Sequence, residues 1–147
     1  MLNRAEILDL IPQGDPFVFV DSAEVAEDLV AGTYHITGEE HFLKGHFPGR
    51  PIFPASILVE ALGQLGIVYM MRQYRAERID PESIYFIKSE DVSCRRKCLP
   101  GDVLEMKMRV VRSREPLIQF SGTIYVDGEL ALKVSSMSLS FSTQPVG

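Results

Sequence analysis

Residues 55–75 read ASILVEALGQLGIVYMMRQYR, and this stretch decides the fold. Its apolar residues recur at helical spacing and occupy nearly every side of the predicted helix until Arg72. A helix that is apolar all round belongs in the middle of a protein, wrapped by other elements. We therefore predict a central helix from Ala55 to about Arg75. The helix is predicted to end near Arg72, Arg75 and Arg78, because positive charge is favourable at the carboxyl end of the helix dipole.

The rest of the chain predicts a sheet that covers this helix, because strand-like segments follow one another with turn signals between them. Asp127-Gly128, for example, is a strong two-residue hairpin signal. One buried helix against a largely antiparallel sheet is α+β architecture, and one curled sheet around the helix suits a single domain over residues 1–147. The predicted strands are Phe17–Asp21, Leu29–Thr37, Ile84–Glu90, Val92–Cys98, Val103–Arg114, Leu117–Val126 and Glu129–Phe141. A capping box at Asn3 and Glu6 adds a short first helix over Arg4–Asp9.

Composition and charge narrow the class of protein. The chain has 147 residues, 46% hydrophobic and 24% charged, as in a soluble globular protein. A net charge of −5 argues against nucleic acid as the main partner. Residues 1–20 lack a secretory signal pattern. The longest apolar stretch, Ile57–Met71, is interrupted by Glu60 and Gln64 and is shorter than the ~20 residues that span a bilayer. We expect no membrane association and a cytoplasmic location.

The segment that enters the helix carries a histidine between turn-forming residues. His46 lies in the sequence Gly-His-Phe-Pro-Gly-Arg-Pro at residues 45–51. Glycine permits a tight turn and proline fixes the course of the backbone, so this loop can hold the imidazole in one orientation. General-base catalysis requires such an orientation. A loop histidine without a function is the alternative.

A carboxylate on the apolar helix carries more information. Glu60 lies about one turn inside the helix, with Gln64 one turn later on the same face. A desolvated glutamate tends to keep its proton and can act as an acid near neutral pH. The alternative places Glu60 and Gln64 on a solvated stripe. Gln64 either orients Glu60 through a hydrogen bond or ties down a loop.

The start of the helix offers a third element. Backbone N–H groups near Ala55 and Ser56 lack partners within the helix and lie at the positive end of its dipole. They can polarise a thioester carbonyl and stabilise the enolate-like charge that forms when an α-proton leaves. Alternatively, Ser56 simply caps the helix.

These residues resemble those of the FabZ-type β-hydroxyacyl-acyl-carrier-protein dehydratases, in the hot-dog fold superfamily. The likeness covers almost the full length, and the fourteen positions from His46 to Glu60 match as well. It is carried by Ile11-Pro12, Pro16-Phe17, Val20-Asp21, Phe42–Pro54, Glu60-Ala61 with Gln64, Arg95-Arg96, Pro100-Gly101-Asp102 and Val126-Asp127-Gly128.

The resemblance implies a fold, a reaction and an assembly. The central helix is wrapped by the antiparallel sheet, and two copies form a homodimer, which often assembles into a trimer of dimers (a homohexamer). Each active site combines His46 of one copy with Glu60 of the other. His46 takes the C2 proton of a (3R)-hydroxyacyl thioester, and Glu60, assisted by Gln64, protonates or binds the departing hydroxyl, giving the trans-2-enoyl thioester. No cofactor or metal is needed. The predicted substrate contacts are Gln64, Phe53, Pro54, Ala55, Ser56 and Ile57.

Two departures from the family pattern concern the substrate. Gln13-Gly14 stands where the family usually has His-Arg or a similar pair, which alters either the tunnel mouth or a turn. Phe53-Pro54-Ala55 replaces Met-Pro-Gly, so Phe53 is expected to narrow the channel and the Ala55 methyl to affect carbonyl placement. Both changes suggest an unusual substrate, from a specialised lipid or polyketide pathway.

Two further clusters of residues could bind a partner or a metal. Arg95, Arg96 and Lys97 form the densest basic cluster and are either a solvated strand edge or a contact for an acidic acyl-carrier protein and its pantetheine phosphate. His41, His46, Cys94 and Cys98 fit no zinc spacing, and both cysteines fall on a predicted strand, so we predict no metal site. Two cysteines fit a reducing compartment.

The first interpretation is therefore a 3-hydroxyacyl-thioester dehydratase, acting on carrier-protein or coenzyme A thioesters in fatty-acid or related biosynthesis. An acyl thioesterase of the same fold is the second, in which the carboxylate activates water. A non-catalytic acyl-binding or partner subunit is the third. Retention of both His46 and Glu60 argues against this last function, and Ala55 argues mildly for it.

Overall fold

The computed structural model describes residues 1–74 and 79–142, which contain two α-helices, six strands and two short 3₁₀ turns. The elements are α1 (Arg4–Leu10), β1 (Ser22–Val25), β2 (Leu29–His35), α2 (Ala55–Gln73), β3 (Tyr85–Cys94), β4 (Val103–Arg114), β5 (Leu117–Val126) and β6 (Glu129–Ser140), with 3₁₀ turns at His41–Lys44 and Pro81–Ser83. The strands form one antiparallel sheet in the order β1-β2-β4-β5-β6-β3. One sheet around one long helix is the α+β, hot-dog arrangement that was predicted.

The long helix α2 lies in the core, as its sequence predicts. Every residue from Ala61 to Met71 is buried, and the helix contacts β1, β2, β4, β5 and β6. Arg72 is exposed in the last turn, whereas Arg75 and Arg78 lie outside the described residues. By length and composition α2 could cross a membrane, but 67% of its apolar window is buried inside the domain, as in the core helix of a soluble protein.

Small residues let the sheet approach this helix closely. A methyl group added at Gly122 of β5 would lie 2.6 Å from the sulfur of Met108 and 3.2 Å from Leu62 Cδ1. Such separations are well inside van der Waals contact, so the β4–β5 pair meets α2 at a point where a larger side chain has no room.

Most of the predicted strands and turns are confirmed. The β5–β6 connection has positive φ at both Asp127 (51°) and Gly128 (77°), as a two-residue hairpin turn requires. The predicted capping box is present, since Asn3 Oδ1 accepts from the Glu6 N–H at 2.9 Å and Glu6 Oε1 accepts from the Asn3 N–H at 3.1 Å. The two predicted strands around residue 91 are one strand, because β3 continues through Asp91 at a φ of 54°. Cys94 lies on it, but Cys98 does not.

The predicted strand over Phe17–Asp21 is wrong. Val18, Phe19 and Val20 are buried but form no strand, and the segment bonds to the sheet at its last residue, where the Asp21 N–H donates to the Thr33 carbonyl of β2 at 2.6 Å. The backbone of Phe17 and Phe19 is bound by a side chain of α2: the Phe19 N–H donates to Gln64 Oε1 at 2.7 Å, and Gln64 Nε2 donates to the Phe17 carbonyl at 3.0 Å. An amide side chain thus supplies the donor and acceptor that a neighbouring strand would otherwise provide.

Candidate functional site

Glu60 and Gln64 form one hydrogen-bonded unit on α2. Gln64 is fully buried, and its Nε2 donates to Glu60 Oε2 at 3.0 Å as well as to the Phe17 carbonyl. Because Gln64 Oε1 also accepts from the Phe19 N–H, the amide has one fixed orientation. The two alternatives for Gln64 therefore both hold, since it orients Glu60 and ties down the segment that follows α1.

Glu60 is half-buried rather than on a solvated stripe. Burial raises the pKa of its carboxyl group above the ordinary value, and the hydrogen bond from Gln64 only partly offsets this, because it favours the charged form. The carboxyl group therefore keeps its proton to a higher pH than an exposed glutamate does. A proton donor positioned in this way can act as a general acid.

The raised pKa predicts a pH-dependent effect on stability. The folded state binds the Glu60 proton more tightly than the unfolded state does, so folding stability falls as pH rises from about the ordinary value of 4.5 through the raised pKa. Glu60→Gln removes this loss and keeps an oxygen for Gln64. We expect the variant to be more stable than the wild type at pH 8, with a difference that shrinks toward pH 4, as measured by urea unfolding.

Glu105, exposed on β4, provides the matched control. Glu105→Gln should leave the shape of the stability–pH curve close to that of the wild type. A Glu60→Gln difference that is constant with pH would contradict a burial-raised pKa.

Glu60 lines a cleft of about 240 Å³. Its polar lining residues are Gln13, Ser56 and Glu60, and the others are glycine or apolar: Val59, Gly63, Ile67, Ile84, Phe86 and Leu139. A cleft with a few polar groups among apolar walls suits a ligand with one polar reacting centre and an acyl chain. No pattern in the sequence pointed to Ile84, Phe86 or Leu139, and Gln13 stood out only as a departure from the family pattern.

His46 is held by a closed loop before α2. The Ile52 N–H donates to the His46 carbonyl at 2.7 Å, and His46 Nδ1 lies 2.8 Å from the Ile52 carbonyl. A carbonyl only accepts, so Nδ1 carries the hydrogen and the neutral ring keeps its lone pair on Nε2. The ring also stacks on Phe47, with centroids 4.7 Å apart. The loop thus presents Nε2 as a base in a fixed orientation.

The sequence-predicted residues do not all meet in one copy of the chain. Ser56 and Glu60 line the same cleft, with Gln64 behind them, whereas His46 is not among the described residues that line it. Phe53 does not line it either. Its side chain is 2% exposed and packs against Phe42 at 5.4 Å, so it belongs to the core, and the expectation that it narrows the channel is wrong for this cleft.

The entry to α2 leaves two donors available. The Ile57 and Leu58 N–H groups both donate to the Pro54 carbonyl, at 3.0 and 3.1 Å. The N–H groups of Ala55 and Ser56 have no acceptor among the described residues. Pro54 occupies the N-cap position and no side chain caps the helix, so the alternative that Ser56 is the cap is wrong. Two unpaired donors at a helix start are suited to bind an oxyanion.

The basic cluster divides into one structural residue and two exposed residues. Arg96 pairs with Asp102 and Glu129, each at 3.4 Å, and donates to the Val126 carbonyl at 3.3 Å. Arg95 and Lys97 are exposed, and Arg95 Nε donates to Ser93 Oγ at 2.8 Å. Arg96 therefore holds the loop that presents the other two cations to solvent.

Known proteins resemble this chain over nearly its whole length. Residues 12–135 match the family described as the FabA-like domain. The 3-hydroxyacyl-[acyl-carrier-protein] dehydratase FabZ of Caulobacter vibrioides (strain NA1000 / CB15N) is 33% identical over 146 residues, covering 98% of this chain and 91% of the relative. The enzyme of the same name from Yersinia enterocolitica is 34% identical, covering 92% of this chain and 82% of the relative.

Solved structures support the fold. The dehydratase heterocomplex ApeI:P from Xenorhabdus doucetiae matches with a TM-score of 0.78 at 17% identity, over 91% of this chain and 90% of that one. The smu.793 protein from Streptococcus mutans, bound to acetyl CoA, matches with a TM-score of 0.67 at 12% identity, over 91% and 97% of the two chains.

Proposed function

We propose that this chain, which belongs to the FabA-like domain family, is a 3-hydroxyacyl-acyl-carrier-protein dehydratase of fatty-acid biosynthesis, a hydro-lyase that works in the cytoplasm. The observation that carries the proposal is the half-buried Glu60, whose pKa is raised by burial and whose carboxyl group is held by Gln64 in a mostly apolar cleft. The relatives of 33–34% identity bear the name of this activity.

The reaction removes one proton from the substrate and donates one proton to the leaving hydroxyl group. His46 Nε2 removes a proton from C2 of the substrate, and the electron pair of that C–H bond moves toward the thioester oxygen before it returns to form the C2=C3 double bond. The C3–O bond breaks, and the Glu60 proton goes to the leaving hydroxyl, which departs as water. The N–H groups of Ala55 and Ser56 stabilise the charge on the thioester oxygen, at typically ~3 kcal/mol for each such donor.

A second copy of the chain completes this site with His46 of the partner subunit. Strand β3 lies at the edge of the sheet and exposes apolar side chains, with Tyr85 67% exposed and Phe86, Ile87 and Val92 also open. Such an edge favours pairing with another strand. Because Phe86 also lines the Glu60 cleft, a copy that covers β3 borders the site. We propose a homodimer of this kind, with a trimer of dimers as the larger assembly.

The substrate is delivered by an acidic carrier protein that meets Arg95 and Lys97. Replacing both with glutamate should lower kcat/KM for a carrier-bound thioester by roughly tenfold at low salt, because like charges then oppose encounter. The same double variant should turn over a pantetheine thioester at an unchanged rate, since that substrate has no protein surface to steer. Equal losses on both substrates would indicate damage to the site instead, and no loss on the carrier substrate would remove these residues from the contact.

One assay tests the activity itself. An enoyl thioester absorbs in the ultraviolet through its conjugated double bond, and a dehydratase run in reverse removes that absorbance by adding water. We expect loss of absorbance without release of free thiol. Release of thiol would identify a thioesterase, and no change in either signal would leave a non-catalytic acyl-binding subunit.

A further inference from the structure

Gln13 carries an unused hydrogen-bond acceptor in the Glu60 cleft. Its Oε1 atom is buried, and within residues 1–74 and 79–142 it has no hydrogen-bond partner. Gln13 lines the same cleft as Ser56 and Glu60. A buried polar atom without a partner is costly, and in a cleft it marks the place where a ligand supplies the missing group. Because the carbonyl oxygen only accepts, that group is an O–H or N–H donor.

The segment around Gln13 is fixed on both sides. The Ile11 N–H donates to the Ile7 carbonyl at 3.1 Å, and the Phe17 N–H donates to the Gly14 carbonyl at 2.8 Å. The Phe17 carbonyl in turn accepts from Gln64, the amide that also holds Glu60. Gln64 therefore positions both the segment that carries Gln13 and the carboxyl group of Glu60. Such preorganisation is what a substrate-orienting group needs.

We propose that Gln13 Oε1 accepts the hydrogen of the substrate's 3-hydroxyl group and so turns a lone pair of that oxygen toward Glu60. This inference rests on the proposed dehydratase function. A hydroxyl has one hydrogen to donate and lone pairs to accept with, so it can bond to Gln13 and receive the proton of Glu60 together. His46 Nε2, an acceptor in the neutral ring, cannot satisfy Gln13. Gln13 remains an acceptor for the water that leaves.

The arrangement predicts selectivity at C3. A 3-oxoacyl thioester presents only an acceptor there, so its oxygen and Gln13 Oε1 would be two acceptors without a hydrogen between them. A saturated acyl thioester leaves Gln13 unpaired. A site built to bind a hydroxyl discriminates strongly against analogues that lack it, because a buried polar group then loses its partner. Gln13 thus selects the 3-hydroxyacyl substrate.

The test uses two ligands that cannot react because C2 carries two fluorines and no proton. They are a 2,2-difluoro-3-hydroxyacyl pantetheine thioester and its counterpart without the hydroxyl. We expect the wild type to bind the hydroxyl ligand roughly 5- to 50-fold more tightly, the range for one buried hydrogen bond. Gln13→Met, similar in length but without the acceptor, should bind both ligands within about twofold of each other. Gln73→Met, at an exposed glutamine near the end of α2, should keep the wild-type preference.

Other outcomes are equally informative. A Gln13→Met variant that keeps the preference, or that loses affinity for both ligands equally, overturns the role of Gln13. If that variant does not fold, Gln13→Glu retains an acceptor oxygen and must retain the preference, and its loss overturns the proposal. Wild-type protein that never hydrates an enoyl thioester but still prefers the hydroxyl ligand would refute the dehydratase function and leave the Gln13 contact standing.

Discussion

His46→Ala is expected to lower kcat for dehydration by roughly 10²- to 10⁴-fold, the usual contribution of a positioned general base. The hydrogen bond from Nδ1 to the Ile52 carbonyl leaves Nε2 as the basic atom, and alanine removes that atom while the Ile52–His46 backbone bond remains possible. Glu60→Gln should cause a loss of similar size, because the amide keeps the bond to Gln64 but has no acidic proton to give. Both rates are measured from the absorbance of the enoyl thioester, with KM determined separately.

Matched variants separate chemistry from folding. His35, exposed at the end of β2, and Glu105, exposed on β4, lie outside the site. His35→Ala and Glu105→Gln should therefore keep the wild-type rate within about twofold, the range expected for surface changes away from the site. If His46→Ala retained more than about a tenth of the wild-type kcat while folded, the base would have to be another group.

The burial of Glu60 also explains why this residue could be predicted as an acid from the sequence alone. Buried carboxyl groups are rare because their desolvation is costly, so one acid in a helix that is otherwise apolar is a local inconsistency. Such inconsistencies are expected at functional sites, where stability is given up for chemistry. The predicted gain in stability of Glu60→Gln above the raised pKa and its predicted loss of activity are two results of the same burial.

The periodic parts of the chain were predictable, because the spacing of their apolar residues indicates which side chains are buried. The apolar residues of α2 extend over five turns, and the alternation of Leu104, Met106 and Met108 continues along β4 with each of the three buried. The Asp127-Gly128 turn needs positive φ at both residues, a local requirement that these residue types meet. None of these features depends on a distant partner.

The errors share a different cause, which is a partner far away in the sequence. Phe17–Asp21 has the composition of a strand, but its backbone bonds to Gln64, 45 positions beyond Phe19. Phe53 follows the family's channel position, but Tyr34 and Phe42 surround it and draw it into the core. Gln13 joins the cleft only because the segment after α1 folds back onto α2. Local patterns carry no information about such contacts.

Mixing two inactive variants is the strongest test of a site shared between subunits. In a dimer of His46→Ala with Glu60→Gln, one site combines the intact histidine of one chain with the intact glutamate of the other, and the second site has neither. Random pairing makes half of the dimers mixed, so activity should recover to roughly a quarter of the wild-type rate, against 1% or less for either variant alone. The variants are unfolded together, refolded and assayed.

The control mixes His46→Ala with the chain that carries both substitutions, a pairing in which no site contains both groups, and it should stay inactive. If each chain supplied both groups to its own site, no mixture of variants would recover activity. The cleft favours recovery, because Glu60 lines it in one copy, His46 does not, and Phe86 connects it to the exposed edge of β3. An isologous interface at that edge places the same residues of each copy around both clefts, so one contact between copies completes two sites at once.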